Sequence, residues 1–407
     1  MQTVNKTPAI RFKDFNDAWE QRKFSELAET RRGLTYSPQN IRPSGVRVLR
    51  SSNINEDTFV FSDEDVNVEE SAVNIPFVKN GDILITSANG STRLVGKHAI
   101  IHDLPENSAV HGGFMLVASA GTPDFVNALM STLWYAKFIG IYVAGGNGAI
   151  GNLIKSDLDE QIVLVPNVEE QKQIGEFFKR LDDVITLHQR KLDRFKNLKK
   201  SFLEKLFPKN NQKEPEIRFR GFTDAWEQRK FIDLYERSCQ KNDLSFGADK
   251  IISVANMYFK KPNDQVSEEY LRTYNIMRLG YIAFEGNKSR NFRYGRFVEN
   301  TIGDGIVSHV FEVLRPKREG DLWFWKYLIN NESIMNPLLR RSTKSATMMN
   351  NLCVSDFLNE QIFTPLLVEQ KRIGSILHSL DYIITLHQRK LEKLKNIKKS
   401  FLEKMFI

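Results

Sequence analysis

The stretch from residue 169 to residue 207 constrains the fold of this chain more than any other. It contains no proline and only one glycine, near its start. Seven residues recur alternately four and three positions apart: Ile174, Phe178, Leu181, Ile185, His188, Leu192 and Phe195. This spacing predicts one long helix with a coiled-coil seam. Because an apolar seam must be covered along its whole length, the helix needs a partner.

A second copy of this helix occurs near the C-terminus. Aligned at an offset of 199, residues 166–207 and 365–406 are identical at 26 of 42 positions. Its seam residues are Ile373, Leu377, Leu380, Ile384, His387, Leu391 and Leu394. We expect the two helices to pair. The second half of each is basic, with seven Lys/Arg against two Asp/Glu in 190–205, so antiparallel packing is favoured because it keeps the basic halves apart.

A histidine lies at the midpoint of each seam, His188 in the first and His387 in the second. In an antiparallel pair the two are expected to meet where a pseudo-twofold axis crosses the helices. A polar residue at such a position fixes the register of a coiled coil, which would make both residues part of the spacer. A solvated edge position remains the alternative, and the spacing gives a metal site little support.

A second repeat divides the chain into two halves. The segment IRFKDFNDAWEQRKF at 10–24 returns as IRFRGFTDAWEQRKF at 217–231, and we call these the signature segments. Each half therefore consists of a signature segment, a globular insert and a long helix. The predicted boundaries are a first domain at 1–165, a helix at 166–207, a linker at 208–216, a second domain at 217–365 and a helix at 366–407.

The two inserts have unlike sequences but similar predicted structure. Short β-like runs occur at 46–49, 82–86 and 114–117 in the first insert and at 251–254, 281–284 and 310–314 in the second. Helical stretches follow at 123–138 and 321–330. Each insert is thus predicted to be an α+β domain. The repeated scaffold indicates one structural role that both halves perform. The unlike inserts indicate a second role that each half performs in its own version.

Composition limits the possible partners and compartments. The formal net charge of +8 and the isoelectric point of about 9.2 point to a polyanion partner. No window approaches 18 uninterrupted apolar residues and the N-terminus lacks the apolar core of a signal peptide, so we expect a cytoplasmic protein without a membrane partner. Cys239 and Cys353 form no CxxC motif and are interpreted as two buried thiols.

Catalytic and nucleotide-binding motifs are weak in this sequence. Residues 146–151 match GxGxxG but do not open a convincing helix, and residues 90–97 have five residues between the glycines where a phosphate-binding loop has four. Glu170-Gln-Lys172 resembles part of a nuclease motif, but charge on the solvated face of the long helix explains it. No spacing indicates a metal site or a catalytic triad. The chain alone is not expected to be an enzyme.

Polar and basic loops offer a recognition surface in each insert. At the end of a predicted strand and in the loop that follows it, the first insert has Thr86, Asn89, Ser91, Thr92 and Arg93, and the second has Lys288, Arg290, Arg293 and Arg296. A later loop adds Asn147 in the first insert and Arg341 and Lys344 in the second. Such side chains bind phosphates and base edges, so these residues are the predicted DNA-binding set. For any single one of them, ordinary solvation is the alternative.

The repeated DAWEQRKF, the paired helices with their shared ITLHQRKL and the unlike inserts resemble the specificity subunit of Type I restriction-modification enzymes. The resemblance implies two α+β target recognition domains separated by a pair of long antiparallel coiled-coil helices. Each domain would read one half of a bipartite asymmetric double-stranded DNA site. The helices would set the spacing and dock two methyltransferase subunits, which recruit restriction (endonuclease/translocase) subunits. S-adenosylmethionine, ATP and Mg²⁺ would be bound by those partners.

Two other functions stay open on the sequence. A coiled-coil adaptor that holds two protein-binding modules would also need a rod and two unlike inserts, and its binding would be insensitive to salt. A self-sufficient methyltransferase would need a pocket for S-adenosylmethionine in this chain. Retention of DNA by the assembled complex separates the first from a DNA reader, and binding of the cofactor by the purified chain tests the second.

Overall fold

The computed structural model describes residues 7–62, 64–143, 151–209, 212–262, 266–289, 292–345 and 349–407. The chain divides into two compact units. The first unit comprises residues 1–189 and 389–407, and the second comprises residues 190–388. Each unit therefore contains one signature segment, one insert, and portions of both long helices. The helix Val168–Lys205 and the helix Leu367–Met405 each continue from one unit into the other.

The first unit contains short strands and four short α-helices before its long helix. The strands are Glu20–Lys23, Ala28–Arg32, Ile41–Arg42, Val46–Leu49, Ile54–Asn55, Thr58–Phe59, Val66–Val68, Ile83–Thr86, Ala88–Asn89, His98–Ile100, Ala109–His111, Met115–Ala120, Gly151–Asn152 and Ile162–Val165. The short helices in this part of the described chain are Phe24–Leu27, Pro123–Met130, Leu133–Tyr142 and Lys155–Asp159.

The second unit has a similar order of elements. Its strands are Glu227–Lys230, Tyr235–Arg237, Ile252–Ser253, Tyr258–Phe259, Asn275–Met277, Ile282–Glu285, Arg296–Glu299, Gly305–Val307, Glu312–Pro316, Thr343–Ser345, Asn350–Leu352 and Gln361–Thr364. Its short α-helices are Phe231–Leu234, Glu268–Arg272, Leu322–Ile329, Glu332–Ser342 and Val354–Asn359. The predicted α+β class is confirmed in both units.

A four-stranded antiparallel sheet forms the centre of each unit. Its order is His98–Ile100, Ile83–Thr86, Met115–Ala120 and Ala28–Arg32 in the first unit, and Arg296–Glu299, Ile282–Glu285, Glu312–Pro316 and Tyr235–Arg237 in the second. Side chains alternate across the sheet, so that Ile83 and Ile85 face one buried cluster while Leu84 faces another. The equivalent strands thus have the same neighbours although the inserts differ in sequence.

Each signature segment pairs with the strand that connects its insert to the following long helix. Glu20–Lys23 pairs antiparallel with Ile162–Val165, which directly precedes the first long helix, and Glu227–Lys230 pairs in the same way with Gln361–Thr364. The adjoining tryptophan is buried in each unit: the ring centroid of Trp19 lies 6.0 Å from that of Phe406. Burial of such aromatic rings explains why the signature keeps a tryptophan at this position.

Contacts inside each unit show that the long helices run antiparallel. In the first unit the Phe177 and Phe401 ring centroids are 4.9 Å apart, and Lys398 Nζ lies 2.6 Å from an Asp182 carboxylate oxygen. In the second unit Lys199 Nζ lies 2.5 Å from an Asp381 carboxylate oxygen. The start of one helix therefore lies beside the end of the other, and the predicted antiparallel pairing is confirmed.

The predicted seam residues are all buried or partly buried. Ile174, Phe178 and Leu192 in the first helix and their counterparts Ile373, Leu377 and Leu391 in the second are all at most 7% exposed. His188 is 8% exposed, and the ring of His387 lies 5.5 Å from that of Phe195. Because the two histidines belong to different units, their predicted meeting and register role stay a prediction.

The interpretation of Glu170 as a solvated charge is wrong. Its side chain is 1% exposed, and Arg11 donates two hydrogen bonds to its carboxylate, at 2.9 and 2.6 Å. The second unit repeats this with Arg218 and Glu369, at 3.0 and 2.7 Å. A two-point ion pair thus ties each signature segment to the first turn of its long helix. The hydrogen bond to Glu170 raises the pKa of Arg11.

A glycine lets each insert approach its long helix closely. A Cβ atom at Gly175 would lie 2.7 Å from the backbone nitrogen of Phe125, and one at Gly374 would lie 2.7 Å from the backbone nitrogen of Phe324. Both nitrogens belong to the first turn of an insert helix, Pro123–Met130 or Leu322–Ile329. The retained glycine in the two helices is therefore explained by packing of the backbone.

Two further expectations need correction. The cysteines are not both buried, because Cys239 is exposed and Cys353 is partly exposed. The helical stretch predicted at 123–138 consists of two helices, since Ser131 and Thr132 interrupt it. In the described residues, no helix is both long enough and apolar enough to cross a membrane.

Candidate nucleic-acid interface

In each four-stranded sheet, one of the two inner strands ends at a predicted recognition loop. We call this strand the central strand of its unit. Ile83–Thr86 is buried along its length and leads into the loop 87–93. Ile282–Glu285 holds the equivalent place in the second unit and leads into loop segments described at 286–289 and 292–295. The first residues of these strands pair at equivalent places: Ile83 with Ala118 of Met115–Ala120, and Ile282 with Leu314 of Glu312–Pro316. The two loops therefore leave equivalent ends of equivalent strands.

In the first unit the two predicted loops are joined by backbone pairing. Ala88–Asn89 forms an antiparallel ladder with Gly151–Asn152, and the Leu153 N–H donates to the Ser87 carbonyl at 2.7 Å. Asn89 is held by a hydrogen bond to the Ser51 hydroxyl at 3.2 Å. Two loops more than sixty residues apart in sequence thus form one surface. The predicted residue Asn147 lies outside the described residues.

The remaining predicted polar residues of this unit follow Asn89 at the surface. Ser91, Thr92 and Arg93 are all exposed, and the last two belong to a short 3₁₀ turn. The Asn89 carboxamide oxygen accepts a hydrogen bond from the Ser91 N–H at 2.9 Å, which shapes the loop. Thr86 differs from them, because it is 1% exposed and lies within the sheet. The structure therefore brings four of these five residues together at the surface.

The same joining of loops occurs in the second unit. Asn287 bridges to Met349, and the Asn350 N–H donates to the Gly286 carbonyl at 2.8 Å. A Cβ at Gly286 would lie 2.1 Å from the Asn350 carbonyl oxygen, so this approach requires glycine. We call the two joined segments of a unit its loop pair: 87–93 with 151–153 in the first unit, and 286–289 and 292–295 with the antiparallel strands Thr343–Ser345 and Asn350–Leu352 in the second.

Three predicted basic residues belong to the loop pair of the second unit. The Lys288 ammonium group lies 2.8 Å from the Ser345 hydroxyl, and the Asn350 carboxamide donates to the Arg293 carbonyl at 3.0 Å. Lys288, Arg293 and Lys344 are all exposed. Their cationic groups suit contacts with phosphate or with base edges. Arg290 lies outside the described residues.

Two predicted arginines are bound to carboxylates of their own unit. Arg296 Nε donates to Glu285 at 2.7 Å, and its guanidinium carbon lies 4.8 Å from the Phe292 ring centroid. Arg341 forms a two-point ion pair with Glu360, and this hydrogen bonding raises the pKa of the arginine. Both guanidinium groups are therefore hydrogen-bonded within their own unit, and the DNA-binding role of the two residues stays a prediction.

An exposed apolar side chain lies beside each loop pair, and the sequence does not predict its exposure. Phe114 is 70% exposed and Val310 is 55% exposed. Phe114 precedes Ala118, the partner of Ile83, by four residues. Val310 precedes Leu314, the partner of Ile282, by the same number, so the two positions are equivalent. The Phe114 carbonyl accepts hydrogen bonds from the Ser87 and Ala88 N–H groups at 2.9 and 3.0 Å. The predicted strands 114–117 and 310–314 include both residues, and sequence alternation does not reveal exposure there.

A cleft of about 640 Å³ surrounds this position in the first unit. Phe114 lines it together with Tyr36, Arg50 and Asn89. Aromatic, cationic and carboxamide groups around one opening can contact base faces, phosphates and base edges. Within the described parts of the chain, no group of three or more His, Cys, Asp or Glu residues could hold a metal ion.

Comparison with known proteins places these features in a family. The family model described as "Type I restriction modification DNA specificity domain" matches residues 16–197 and 250–396, which together make up most of the chain. The chain is 26% identical over 191 residues to the Type I restriction enzyme EcoKI specificity subunit of Escherichia coli (strain K12). This alignment covers 45% of the chain and 41% of that relative, less than half of either.

A solved structure shares the fold. The S subunit of a Type-I restriction-modification system from M. genitalium superposes with a TM-score of 0.62 at 14% sequence identity, covering 98% of this chain and 99% of the other. At this identity the likeness concerns the fold alone. The family match covers both halves, as the resemblance of the signature segments and long helices predicted. The chain belongs to the family of Type I restriction modification DNA specificity domains.

Proposed function

We propose that this chain is the DNA-reading subunit of a Type I restriction-modification complex and that each unit reads one half of a bipartite, asymmetric site. The observation that carries the proposal is the loop pair, which occurs in both units at the same end of the same sheet. Because the loop pair occupies equivalent positions in the two repeated units, both units are assigned the same function, which is to read DNA. Different residues at that place give the two units different sequence preferences.

The chemistry of the two loop pairs supports unequal half-sites. The first presents Asn89, Ser91 and Thr92 with a single predicted cation, Arg93. Hydroxyl and carboxamide groups read base edges through directional hydrogen bonds. The second presents Lys288, Arg293 and Lys344, which can bind phosphates, and an arginine can also bind guanine through two hydrogen bonds. Asymmetry of the site follows from this difference in side chains.

Partner subunits complete the proposed complex. The long helices would dock two methyltransferase subunits and set the spacing between the half-sites, and restriction subunits would join through the methyltransferases. S-adenosylmethionine, ATP and Mg²⁺ would be bound by those partners, so this chain would be the non-catalytic component. The site of action would be the cytoplasm. Support comes from the family match and from two repeated halves, which offer equivalent surfaces to two copies of one partner.

Mapping of modified adenines tests the proposal. The chain is expressed with its methyltransferase partner, and methylated positions in the host genome are located by sequencing. We expect one split motif with two unlike halves. Exchange of residues 25–164 for the insert of a relative should change one half of the motif only. A chain that leaves the genome unmethylated with an active partner, or an exchange that alters both halves, would contradict independent reading by the two units.

A further inference from the structure

The signature strands present the same residues to solvent in both units. Glu20–Lys23 and Glu227–Lys230 both read EQRK. All four residues of the first strand are exposed, as are three of the second, with Arg229 partly exposed. Burial explains the identity of Trp19 with Trp226, but it does not explain the identity of solvent-facing residues. Exposed positions tolerate substitution unless something contacts them.

Neighbours within the chain do not explain the identity either. The strand facing the first signature strand reads IVLV, whereas the strand facing the second reads QIFT. Lys23 forms an ion pair with Glu160 at 2.6 Å, and the equivalent of Glu160 in the second half is Asn359. The Gln228 carboxamide donates to Gln361 at 2.8 Å, where the first half has an isoleucine. The surroundings have diverged while EQRK has stayed the same.

A cleft lies beside each signature strand at the same place. Its volume is about 720 Å³ in the first unit and about 490 Å³ in the second. Equivalent residues line the two clefts: Glu20 and Glu227, Arg22 and Arg229, Pro166 and Pro365, and Gln171 and Gln370. An exposed apolar residue adjoins each opening, with Val168 58% exposed in the first unit and Leu366 55% exposed in the second. Polar groups around an apolar centre are typical of protein interfaces.

The charges at these clefts disfavour nucleic acid. The cleft of the first unit has two arginines, one of which is bound to a buried glutamate, against four carboxylates: Asp17, Glu20, Glu26 and Glu170. A net negative lining repels a phosphate backbone. In the second unit Arg229 and Arg318 face Glu227 and Glu319, so that cleft has no excess of cations among these exposed groups. A protein with polar and apolar contact groups fits both clefts.

We propose that the two signature strands, each with its adjoining cleft, are equivalent docking surfaces for two copies of one protein. One surface repeated on unlike domains matches a partner that binds twice. The inference rests on the proposed function, under which that partner is the methyltransferase subunit. It extends the docking surface from the long helices to the strand Glu20–Lys23 in one unit and the strand Glu227–Lys230 in the other.

Charge reversal in one half at a time tests this assignment. Glu20→Arg and Glu227→Arg each change an exposed residue that lines a cleft. The number of methyltransferase copies bound to the full chain is measured by native mass spectrometry, and affinity by titration calorimetry. We expect two copies on the unaltered chain and one on either single variant. With both changes, affinity should fall at least about tenfold at both sites, because misplaced charge at an interface is costly.

The controls separate docking from folding. Ser25→Arg and Ile232→Arg alter exposed positions at which the two halves differ, and they should leave two bound copies. A second pair, Ala18→Arg and Ala225→Arg, changes residues exposed in both halves without removing a polar group, and it should reproduce the loss. Thermal unfolding monitored by circular dichroism confirms that each variant is folded.

The outcomes separate a failure of the docking surface from a failure of the proposed function. If both double variants still bind two methyltransferase copies with unchanged affinity, the docking surface is refuted while the proposed function stands. The docking surface is also refuted if the double variants lose DNA binding by the chain alone but still bind two methyltransferase copies. If the unaltered chain binds no methyltransferase subunit, the proposed function and this inference both fail.

Discussion

The ammonium group of Lys199 lies 2.5 Å from an Asp381 carboxylate oxygen, and the same pair recurs 199 residues apart as Lys398 with Asp182, at 2.6 Å. Each lysine comes from the basic end of one long helix and each aspartate from the first half of the other. The charge argument that predicts antiparallel packing is therefore realised by two specific ion pairs. These pairs lie at corresponding places in the two units.

Removal of one lysine tests whether these ion pairs stabilise the helices. Lys398→Met leaves the Asp182 carboxylate, with 37% of its side chain exposed, without its cation. We expect a loss of about 1 kcal/mol in the free energy of unfolding, since solvent screens a group this exposed. Chemical unfolding measures it, and Asp182→Asn with Lys398→Met should lose less than the two single changes summed. Additive losses would show that the pair is not coupled.

Two helical glycines, one in an insert helix and one in a long helix, give predictions of opposite sign. Gly→Ala inside a helix normally stabilises by about 1 kcal/mol. At Gly140, where an added Cβ meets nothing within 4 Å, we expect that gain. At Gly175 the Cβ would lie 2.7 Å from the Phe125 nitrogen, so Ala should destabilise by about 2 kcal/mol or more because the backbone must move. Thermal unfolding of the two variants compares the signs, and stabilisation at both sites would refute the packing argument.

The buried His111 makes stability depend on pH. The side chain is 1% exposed, its Nε2 lies 3.1 Å from the Arg31 carbonyl oxygen, and burial lowers its pKa from 6.5 to about 4. The unfolded chain therefore binds a proton at a higher pH than the folded one. The stability contributed by the neutral ring is complete above pH 6.5 and is lost as the pH falls through about 4, by up to about 3 kcal/mol.

Urea unfolding between pH 7 and pH 4 measures this dependence. His111→Gln keeps a donor for the Arg31 carbonyl but does not titrate in this range, so its stability should fall less steeply as the pH is lowered. Part of the slope should remain, because burial also lowers the pKa of His98. A variant with the slope of the unaltered chain would show that His111 does not contribute.

Two substitutions in the second loop pair should weaken DNA binding in different ways. Lys344→Ala removes an exposed cation and should reduce affinity about equally for all sequences, lowering the salt dependence by about one unit of slope. Arg293→Ala should relax the preference at one base position, at a cost of about 1–3 kcal/mol for the preferred site. Binding of the assembled complex to matched and altered oligonucleotides distinguishes the two effects.

A surface arginine outside the loop pair provides the control. Arg315 lies on the central sheet and forms an exposed ion pair with Glu236 at 2.8 Å. Arg315→Ala should leave the preferred sequence unchanged. If Arg293→Ala weakens all sequences to the same degree, the residue contacts phosphate and does not read a base.

Sequence periodicity predicted the elements that depend on local pattern. The seam at Ile174 and Phe178 defined the first long helix, and the run 46–49 coincides with the strand Val46–Leu49. The burial of Glu170 could not be inferred in this way, because its partner Arg11 is 159 residues away in sequence. Only the tertiary fold brings a cation to that side of the helix.

The loop pairs show the same limit at the candidate site. Their composition and repeated placement were visible in sequence, but the pairing of Ala88–Asn89 with Gly151–Asn152 depends on the folded sheet. The polarity of Thr86 predicts a place in the recognition set, whereas the sheet continues through this residue and buries it. The exposure of Phe114 was equally hidden, since an apolar residue next to a strand is ordinarily placed in the core.

The length of the long helices provides the last prediction, which concerns spacing between half-sites. Removal of residues 183–189 and 382–388 deletes one heptad from each helix and preserves the phase of its seam. Each helix becomes shorter by about 10 Å, which corresponds to about three base pairs of B-DNA. We expect the methylated motif to keep both half-sites and to lose about three base pairs of its gap. Sequencing of modified adenines measures the gap, and an unchanged gap in a folded, active complex would show that the helices do not set it.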